Sequence, residues 1–153
     1  MRAAKPQSQI PMRAALAEAE AAAARGEVPV GAVVVAGRQI LARAGNRTRE
    51  LNDPTAHAEM LAIRAACATT ASERLPEADL YVTLEPCPMC AAAASFARIR
   101  RLYFGASDPK GGGVEHGPRI FSQPSCHHAP EIYGGIEEVR SARLLQAFFA
   151  QRR

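Results

Sequence analysis

The chain of 153 residues has no apolar run long enough to cross a membrane. A transmembrane helix needs roughly 20 consecutive apolar residues, whereas the longest candidate, residues 16–24, is interrupted by Glu18 and Glu20. The first seven residues also lack the apolar core of a secretory signal peptide. We therefore expect a cytoplasmic protein that has no membrane partner.

Cysteine is also scarce, because four cysteines in a chain of this length do not make a disulfide scaffold. Two of them, Cys87 and Cys90, form a C-x-x-C pair. In a reducing compartment such a pair indicates a metal site or a redox pair. The cysteines therefore indicate a metal or redox site rather than disulfide bonds that stabilise the fold.

The composition is that of one globular domain. Apolar residues make up 48% of the chain and charged residues 22%, and a chain of this size buries roughly two-thirds of the surface that it exposes when unfolded. We expect a mobile lead-in at residues 1–10 and a single domain at residues 11–153. The formal net charge of +4 favours polyanionic partners, although basic proteins without such partners are common.

The pattern of apolar residues predicts an alternation of helices and strands. A helix is expected from Pro11 to Gly26, followed by a β-hairpin that turns at residues 36–39. Thr55 is predicted to cap a helix that continues to residue 68, and Pro88 to open another. The remaining predictions are strands at 80–84 and within 99–106, a loop at 108–128 and a helix at 137–149. This order implies an α/β protein, a three-layer α/β/α sandwich around one mixed sheet.

Two short segments carry residues that could hold a metal ion. His57 lies in P-T-A-H-A-E, and Cys87 and Cys90 lie in E-P-C-P-M-C. One imidazole and two thiolates suit tetrahedral zinc whose fourth position is left to water. Glu59, two residues beyond the histidine, is close enough to take a proton from that water. The combination H-x-E with P-C-x-x-C matches the signature of zinc nucleobase deaminases.

Both segments are predicted to lie where a helix begins. On a regular helix, residues two apart point about 200° away from each other, so His57 and Glu59 can face one metal only from the first turn. The first turn also leaves backbone N–H groups unpaired, and that of Ala58 is placed to donate to a base held over the metal. At the start of the second helix, the positive end of the helix dipole favours thiolates at Cys87 and Cys90.

The resulting hypothesis is a hydrolytic deaminase. Water activated by the metal would attack the amino-bearing ring carbon. Glu59 would accept the water's proton, pass it to the adjacent ring nitrogen and later protonate the departing amine. One alternative is a structural zinc site, closed by a fourth ligand from Cys126, His127 or His128. Another is a redox pair without metal, which would leave the H-x-E segment unexplained.

Longer stretches around these motifs add a family resemblance. They are residues 27–32, Asn46, and residues 53–59, 80–90 and 104–106. Together they resemble the bacterial tRNA-specific adenosine deaminases of the cytidine deaminase-like superfamily. The resemblance runs from about residue 12 to the end, and it implies the α/β/α deaminase fold, one zinc ion per chain and a homodimer with active sites near the interface. The implied substrate is the wobble adenosine of a tRNA anticodon stem-loop, which is converted to inosine.

The resemblance also implies substrate contacts. Asn46 corresponds to an asparagine that contacts the flipped nucleoside, and an Asx turn is the alternative explanation. Asp108 and Lys110, in D-P-K before three glycines, resemble the family's Asp-x-Lys loop at the substrate channel. The alternative for this segment is a solvated, flexible loop.

The C-terminal helix contributes aromatic and basic candidates. Phe148 and Phe149 lie about 100° apart on a helix, so we expect one of them to pack in the core. The other, which we assign as Phe149, would meet RNA bases. Arg152, with Arg153 nearby, would contact the RNA, although a frayed basic tail explains these arginines equally well.

Residues 114–132 depart from the more familiar members of the family. Two rival functions stay open. The first is deamination of a free nucleobase or nucleoside of the cytosine or guanine type. The second is a non-catalytic, zinc-stabilised RNA-binding module. The lead-in at residues 53–55 and the basic C-terminal helix favour an RNA substrate.

Overall fold

The computed structural model describes residues 9–152. Within them the elements follow in the order α1 Gln9–Ala24, β1 Gly31–Ala36, β2 Gln39–Gly45, α2 Ala58–Thr70, β3 Ala78–Leu84, α3 Pro88–Phe96, β4 Arg101–Ala106, β5 Glu131–Tyr133 and α4 Glu138–Ala150. A single 3₁₀ turn, Ile120–Ser122, lies in the long segment between β4 and β5. No helix in this part of the chain is long and apolar enough to span a membrane.

One mixed sheet with the strand order β2-β1-β3-β4-β5 forms the middle layer. Strand β1 runs antiparallel to β2 and β3, whereas β3, β4 and β5 are parallel. The carboxyl ends of β3 and β4 therefore lie at the same edge of the sheet. Because β1 runs the opposite way, its first residues lie at that edge too, paired with the last residues of β2, from which the chain leads to α2.

Different helices cover the two faces of the sheet. Along β1, Ala32 and Val34 belong to the core on the side of α2 and α3. Val33 and Val35, which point the other way, belong to the core under α1. This period of two is the alternation of a strand buried on both faces. It confirms the predicted α/β/α sandwich around one mixed sheet.

The predicted cap of the second helix is wrong. Helix α2 begins at Ala58, and its N-cap residue is His57 rather than Thr55. The Thr55 hydroxyl instead donates to Asp53 Oδ1 at 2.7 Å. Because this bond closes a turn ahead of the helix, the N-cap lies two residues later than the sequence suggests.

Two further elements differ from the prediction. Gln9 and Ile10, which were assigned to the lead-in, form the start of α1, and residues 1–8 lie outside the described part. Strand β5 was not predicted. It has only three residues, too few for an alternating pattern to stand out, and its pairing with β4 is a tertiary contact.

Three stacked tyrosines connect the parallel strands on the α1 face. The rings of Tyr81 and Tyr103 lie 4.3 Å apart between centroids, and those of Tyr103 and Tyr133 lie 4.9 Å apart. All three are buried. Among the described strands β5 pairs with β4 alone, and the stacking of Tyr133 on Tyr103 adds a side-chain contact between the two strands.

We predict that Tyr103→Ala lowers the free energy of unfolding by about 3–5 kcal/mol, because it removes the middle ring of this stack and leaves a cavity. The matched control, Tyr103→Phe, keeps the ring and should cost only about 0.5–1.5 kcal/mol for a hydroxyl contact. Urea denaturation of both variants measures the difference. Equal losses would mean that the stack contributes little.

Candidate active site

Two helices begin at the same edge of the sheet and bring three ligand side chains together. His57 is the N-cap of α2 and Cys87 is the N-cap of α3, both with extended backbone conformations. Cys90 is the third residue of α3 and is fully buried. His57 Nδ1 lies 3.5 Å from the Sγ atoms of Cys87 and Cys90. The three donor atoms all lie within 4.8 Å of one another.

These distances fit a tetrahedral zinc site. With zinc about 2.0–2.1 Å from nitrogen and 2.3 Å from sulfur, the edges of the tetrahedron measure about 3.5–3.8 Å. The nitrogen-to-sulfur distances of 3.5 Å agree. Among residues 9–152, no fourth His, Cys, Asp or Glu joins the group. Three protein ligands with a free fourth position are typical of catalytic rather than structural zinc sites.

The residues considered for closing the site lie elsewhere. Cys126 Sγ contacts Ser95 Oγ at 3.4 Å, and His128 Nε2 lies 2.6 Å from the carbonyl oxygen of Ile99. His127 lines a separate pocket between α3 and the segment that joins β4 to β5. These contacts attach residues 126–128 to the far end of α3.

The two thiols are electrostatically coupled. Hydrogen bonding from Cys90 lowers the pKa of Cys87 to about 4, and His57 lowers it further. The contact with Cys87, together with burial, raises the pKa of Cys90. Without metal the pair therefore holds one thiolate at neutral pH. A bound metal cation displaces the second proton, because the thiolate is the ligand form.

Glu59, the second residue of α2, faces the three metal-ligand side chains. The residue is 4% exposed, and burial raises the pKa of its carboxyl to about 7, with the neighbouring Cys87 adding to the shift. A divalent cation at the site would oppose the shift. Glu59 is thus a carboxyl group that can exchange a proton next to the metal ligands.

A second carboxylate at the site, Glu85, was not singled out from the sequence. It is 2% exposed and accepts hydrogen bonds from the backbone N–H groups of Asp108, Val114 and Glu115 at 2.9–3.2 Å. His116 adds its backbone N–H at 3.1 Å and its Nδ1 at 2.7 Å. These contacts outweigh the effect of burial and hold the pKa of Glu85 below its usual value. With its oxygens occupied, Glu85 is a structural anchor rather than a proton carrier.

The loop around Glu85 has no space for a side chain at Gly112. A Cβ there would overlap Glu85 Oε2 and approach the Asp108 carbonyl oxygen to 2.5 Å. Asp108 Oδ1 in turn accepts the N–H groups of Lys110 and Gly111 at 3.2 and 2.9 Å. The D-P-K-G-G-G segment is therefore an ordered turn wrapped around a buried carboxylate. A charged residue at the end of a buried strand, just before proline, was the available signal in the sequence.

A cleft of about 320 Å³ opens over the metal ligands, within the size range of small-molecule sites. Its lining residues are Val28, Val30, Asn46, Thr48, His57, Ala58, Glu59, Leu84, Glu85, Cys87, Asp108 and Gly111. Asn46 is buried, and its side-chain amide makes no hydrogen bond within residues 9–152, so the Asx turn is absent. The Ala58 N–H likewise has no partner in the described part of the chain, which leaves it free for a ligand.

The remaining predicted site residues lie further out. Lys110 and Phe149 line an adjoining pocket that shares Val28, Leu84, Asp108 and Gly111 with the cleft. Phe149 is 49% exposed whereas Phe148 is 7% exposed, as expected for one core residue and one surface residue.

Arg152 lines neither the cleft nor the adjoining pocket. Its guanidinium lies 3.7 Å from the centroid of the Phe148 ring. Arg153 is outside the described residues.

Comparisons with known proteins agree with this geometry. Residues 5–106 match the cytidine and deoxycytidylate deaminase zinc-binding region. The chain is 64% identical over 142 residues to a tRNA-specific adenosine deaminase of Agrobacterium fabrum, which covers 93% of each chain. The chain belongs to the tRNA-specific adenosine deaminase family. The resemblance inferred from the sequence is thereby confirmed.

Two solved structures extend the comparison. A structure from a study of A-to-I editing by tRNA:A34 deaminases aligns with a TM-score of 0.88 and 65% identity, covering 89% of this chain and 99% of that one. Guanine deaminase from Bacillus subtilis aligns with a TM-score of 0.65 and 28% identity, covering 97% and 94%. In both fold and sequence this deaminase is closer to the tRNA:A34 enzyme than to this free-base enzyme.

We predict that Glu85→Ala speeds amide exchange in residues 108–116 of this deaminase. Four backbone N–H groups lose a buried acceptor, which should lower the free energy of local opening by about 1–3 kcal/mol. Hydrogen–deuterium exchange with mass spectrometry measures the change. Glu73→Ala removes an exposed carboxylate and is the control. Unchanged exchange in Glu85→Ala would show that Glu85 does not order the loop.

Proposed function

We propose that this chain hydrolyses the wobble adenosine of a tRNA anticodon stem-loop to inosine, with one zinc ion held by His57, Cys87 and Cys90. The observation that carries the proposal is the open group of three ligands beside Glu59, at the base of a cleft of about 320 Å³. Two thiolates and one imidazole suit zinc, and they leave one position for water.

Different residues of the chain transfer protons and orient the substrate base. Zinc, when bound, supplies a Lewis acid that lowers the pKa of a coordinated water toward neutrality. Glu59 takes the proton of the attacking water and passes it to the ring nitrogen beside the amino-bearing carbon. It then takes the second proton, from the hydroxyl that the attack adds to that carbon, and passes it to the departing amine as the carbon–nitrogen bond breaks, so adenosine and water give inosine and ammonia. The Ala58 N–H and the Asn46 amide, both free to bond a ligand, orient the base.

Asp108, Lys110, Phe149 and Arg152 are proposed to contact the RNA around the flipped base. The Asp108 and Lys110 turn borders both pockets, and Phe149 presents an exposed ring on which a neighbouring base can stack. Arg152, whose guanidinium lies against the neighbouring Phe148 ring, is proposed to contact the RNA backbone rather than a base.

The remaining features of the proposal concern assembly and location. We propose a homodimer, supported by Phe96, whose ring is 72% exposed on the helix that carries the cysteine ligands. Burying so large an apolar side chain against a second copy would be favourable. Sedimentation would test this assembly. Residues 11–153 are proposed to form one domain, and a tRNA substrate fits a cytoplasmic location.

We expect inosine in a transcript whose anticodon begins with adenosine, and none in the same transcript with another base there. Conversion is measured by nuclease digestion and mass spectrometry of nucleosides, on protein whose zinc content has been determined. Ammonia release from free guanine or cytosine without inosine in the transcript would instead support the free-base deaminase, which the fold shared with guanine deaminase makes the second candidate.

We predict that Glu59→Ala and the isosteric Glu59→Gln lower kcat by at least 10²–10⁴-fold, because each removes the proton carrier. Zinc content and melting temperature should persist, because Glu59 is not a ligand in this arrangement. Metal analysis and single-turnover assays on the same preparations test both halves. A non-catalytic RNA-binding module would show no turnover in the unaltered protein and no effect of either substitution.

A further inference from the structure

Three arginines gather where α1 ends, beside the cleft. Arg49 Nη1 and Arg152 Nη2 both donate to the carbonyl oxygen of Gly26, at 3.3 and 3.4 Å. Arg25 Nη2 donates to the carbonyl oxygen of Asn46 at 3.2 Å. We call Arg25, Arg49 and Arg152 the arginine cluster. All three are exposed, and a guanidinium has five N–H donors, so most of their donors remain free.

The arginine cluster is not neutralised by carboxylates. Within residues 9–152 none of its members forms an ion pair with Asp or Glu. The nearby Glu27 is buried and accepts the backbone N–H groups of Arg49 and Glu50 at 3.2 and 2.8 Å. Glu50 itself pairs with Arg47 at 2.8 Å. The carbonyl end of α1 offsets part of the repulsion between the three guanidiniums, and the cluster keeps an excess of positive charge.

Residues that contact the cluster, or lie next to it in the sequence, line the cleft, so the cluster borders its rim. Asn46, which anchors Arg25, lines the cleft, and so does Thr48, the residue before Arg49. Val28, two residues after Gly26, lines both the cleft and the adjoining pocket. A strand of nucleic acid that delivers one base into the cleft would therefore pass this rim with its backbone.

We propose that the arginine cluster binds the phosphodiester backbone of the RNA strand that enters the cleft. The inference rests on the proposed function, since a base held over the metal ligands must be joined to a phosphate on each side. The planar guanidinium matches phosphate oxygens with paired N–H donors. Contacts of this kind set the position of the strand and carry no base specificity. Arg25 and Arg49 thus join Arg152 in a surface that recognises phosphate rather than adenosine.

The test compares binding of a fluorescently labelled anticodon stem-loop by fluorescence anisotropy over a range of salt concentrations. Arg25→Ala and Arg49→Ala are combined in the Glu59→Ala background, so that no turnover occurs. We expect the Kd at physiological salt to rise about tenfold. The slope of log K against log salt should become shallower by about 0.7–0.9 for each phosphate contact that is lost.

Two matched variants separate phosphate binding from a loss of structure. Arg49→Lys, paired with Arg25→Lys, keeps the charge and should recover most of the salt slope. Arg38→Ala removes the same charge from the exposed turn between β1 and β2, at the end of the hairpin away from Asn46, and should change neither quantity.

The inference is overturned if the double alanine variant binds with unchanged Kd and salt slope. It is equally overturned if the Kd rises without a change in slope, or if Arg38→Ala has the same effect. Inosine formation by the unaltered protein decides the proposed function separately. If the unaltered protein forms inosine and the double alanine variant has an unchanged salt slope, phosphate binding by the arginine cluster is refuted while the proposed function stands.

Discussion

The site depends on two helices that begin at the same edge of one sheet. An N-cap residue has extended backbone, and the residues just after it are helical, so a side chain at the cap and another two or three positions later can converge. His57 with Glu59, and Cys87 with Cys90, use this geometry in the same way. Strand β2, which leads to α2, and strand β3, which leads to α3, end at this edge because each runs antiparallel to β1. A metal site made from two distant segments is therefore a consequence of strand direction as much as of ligand chemistry.

Three buried carboxylates surround the cleft, and their hydrogen bonds give them different roles. Glu27 accepts backbone N–H groups from residues 49 and 50, and Glu85 accepts them from residues 108 and 114–116. Each carboxylate thus fixes a loop on one side of the cleft. Because their oxygens are engaged in these bonds, neither is placed to carry a proton. Glu59 remains the acid whose pKa is set by burial and by the metal ligands. Of these three glutamates, Glu27 and Glu85 anchor loops, and Glu59 is the one placed to transfer protons.

The sequence allowed the family, the layered fold and the ligand set to be predicted, because zinc chemistry restricts residue type and spacing and because periodicity marks long elements. Features that depend on tertiary contacts were missed. Strand β5 exists through its pairing with β4 and a ring stacked on Tyr103. The late start of α2 follows from the bond between Thr55 and Asp53. The role of Glu85 depends on a loop that begins more than twenty residues later, and no local pattern reports such a contact. The placement of Arg152 behind Phe148 is likewise a contact between distant parts of the chain.

If three protein ligands hold the metal and one position is left to solvent, X-ray absorption at the zinc K-edge of metal-loaded protein will show two sulfur atoms at about 2.3 Å and two nitrogen or oxygen atoms at about 2.0–2.1 Å. Only one of those lighter atoms should show the outer-shell scattering of an imidazole. A third sulfur, or scattering from two imidazoles, would mean that a fourth side chain closes the site and that no position is left to solvent.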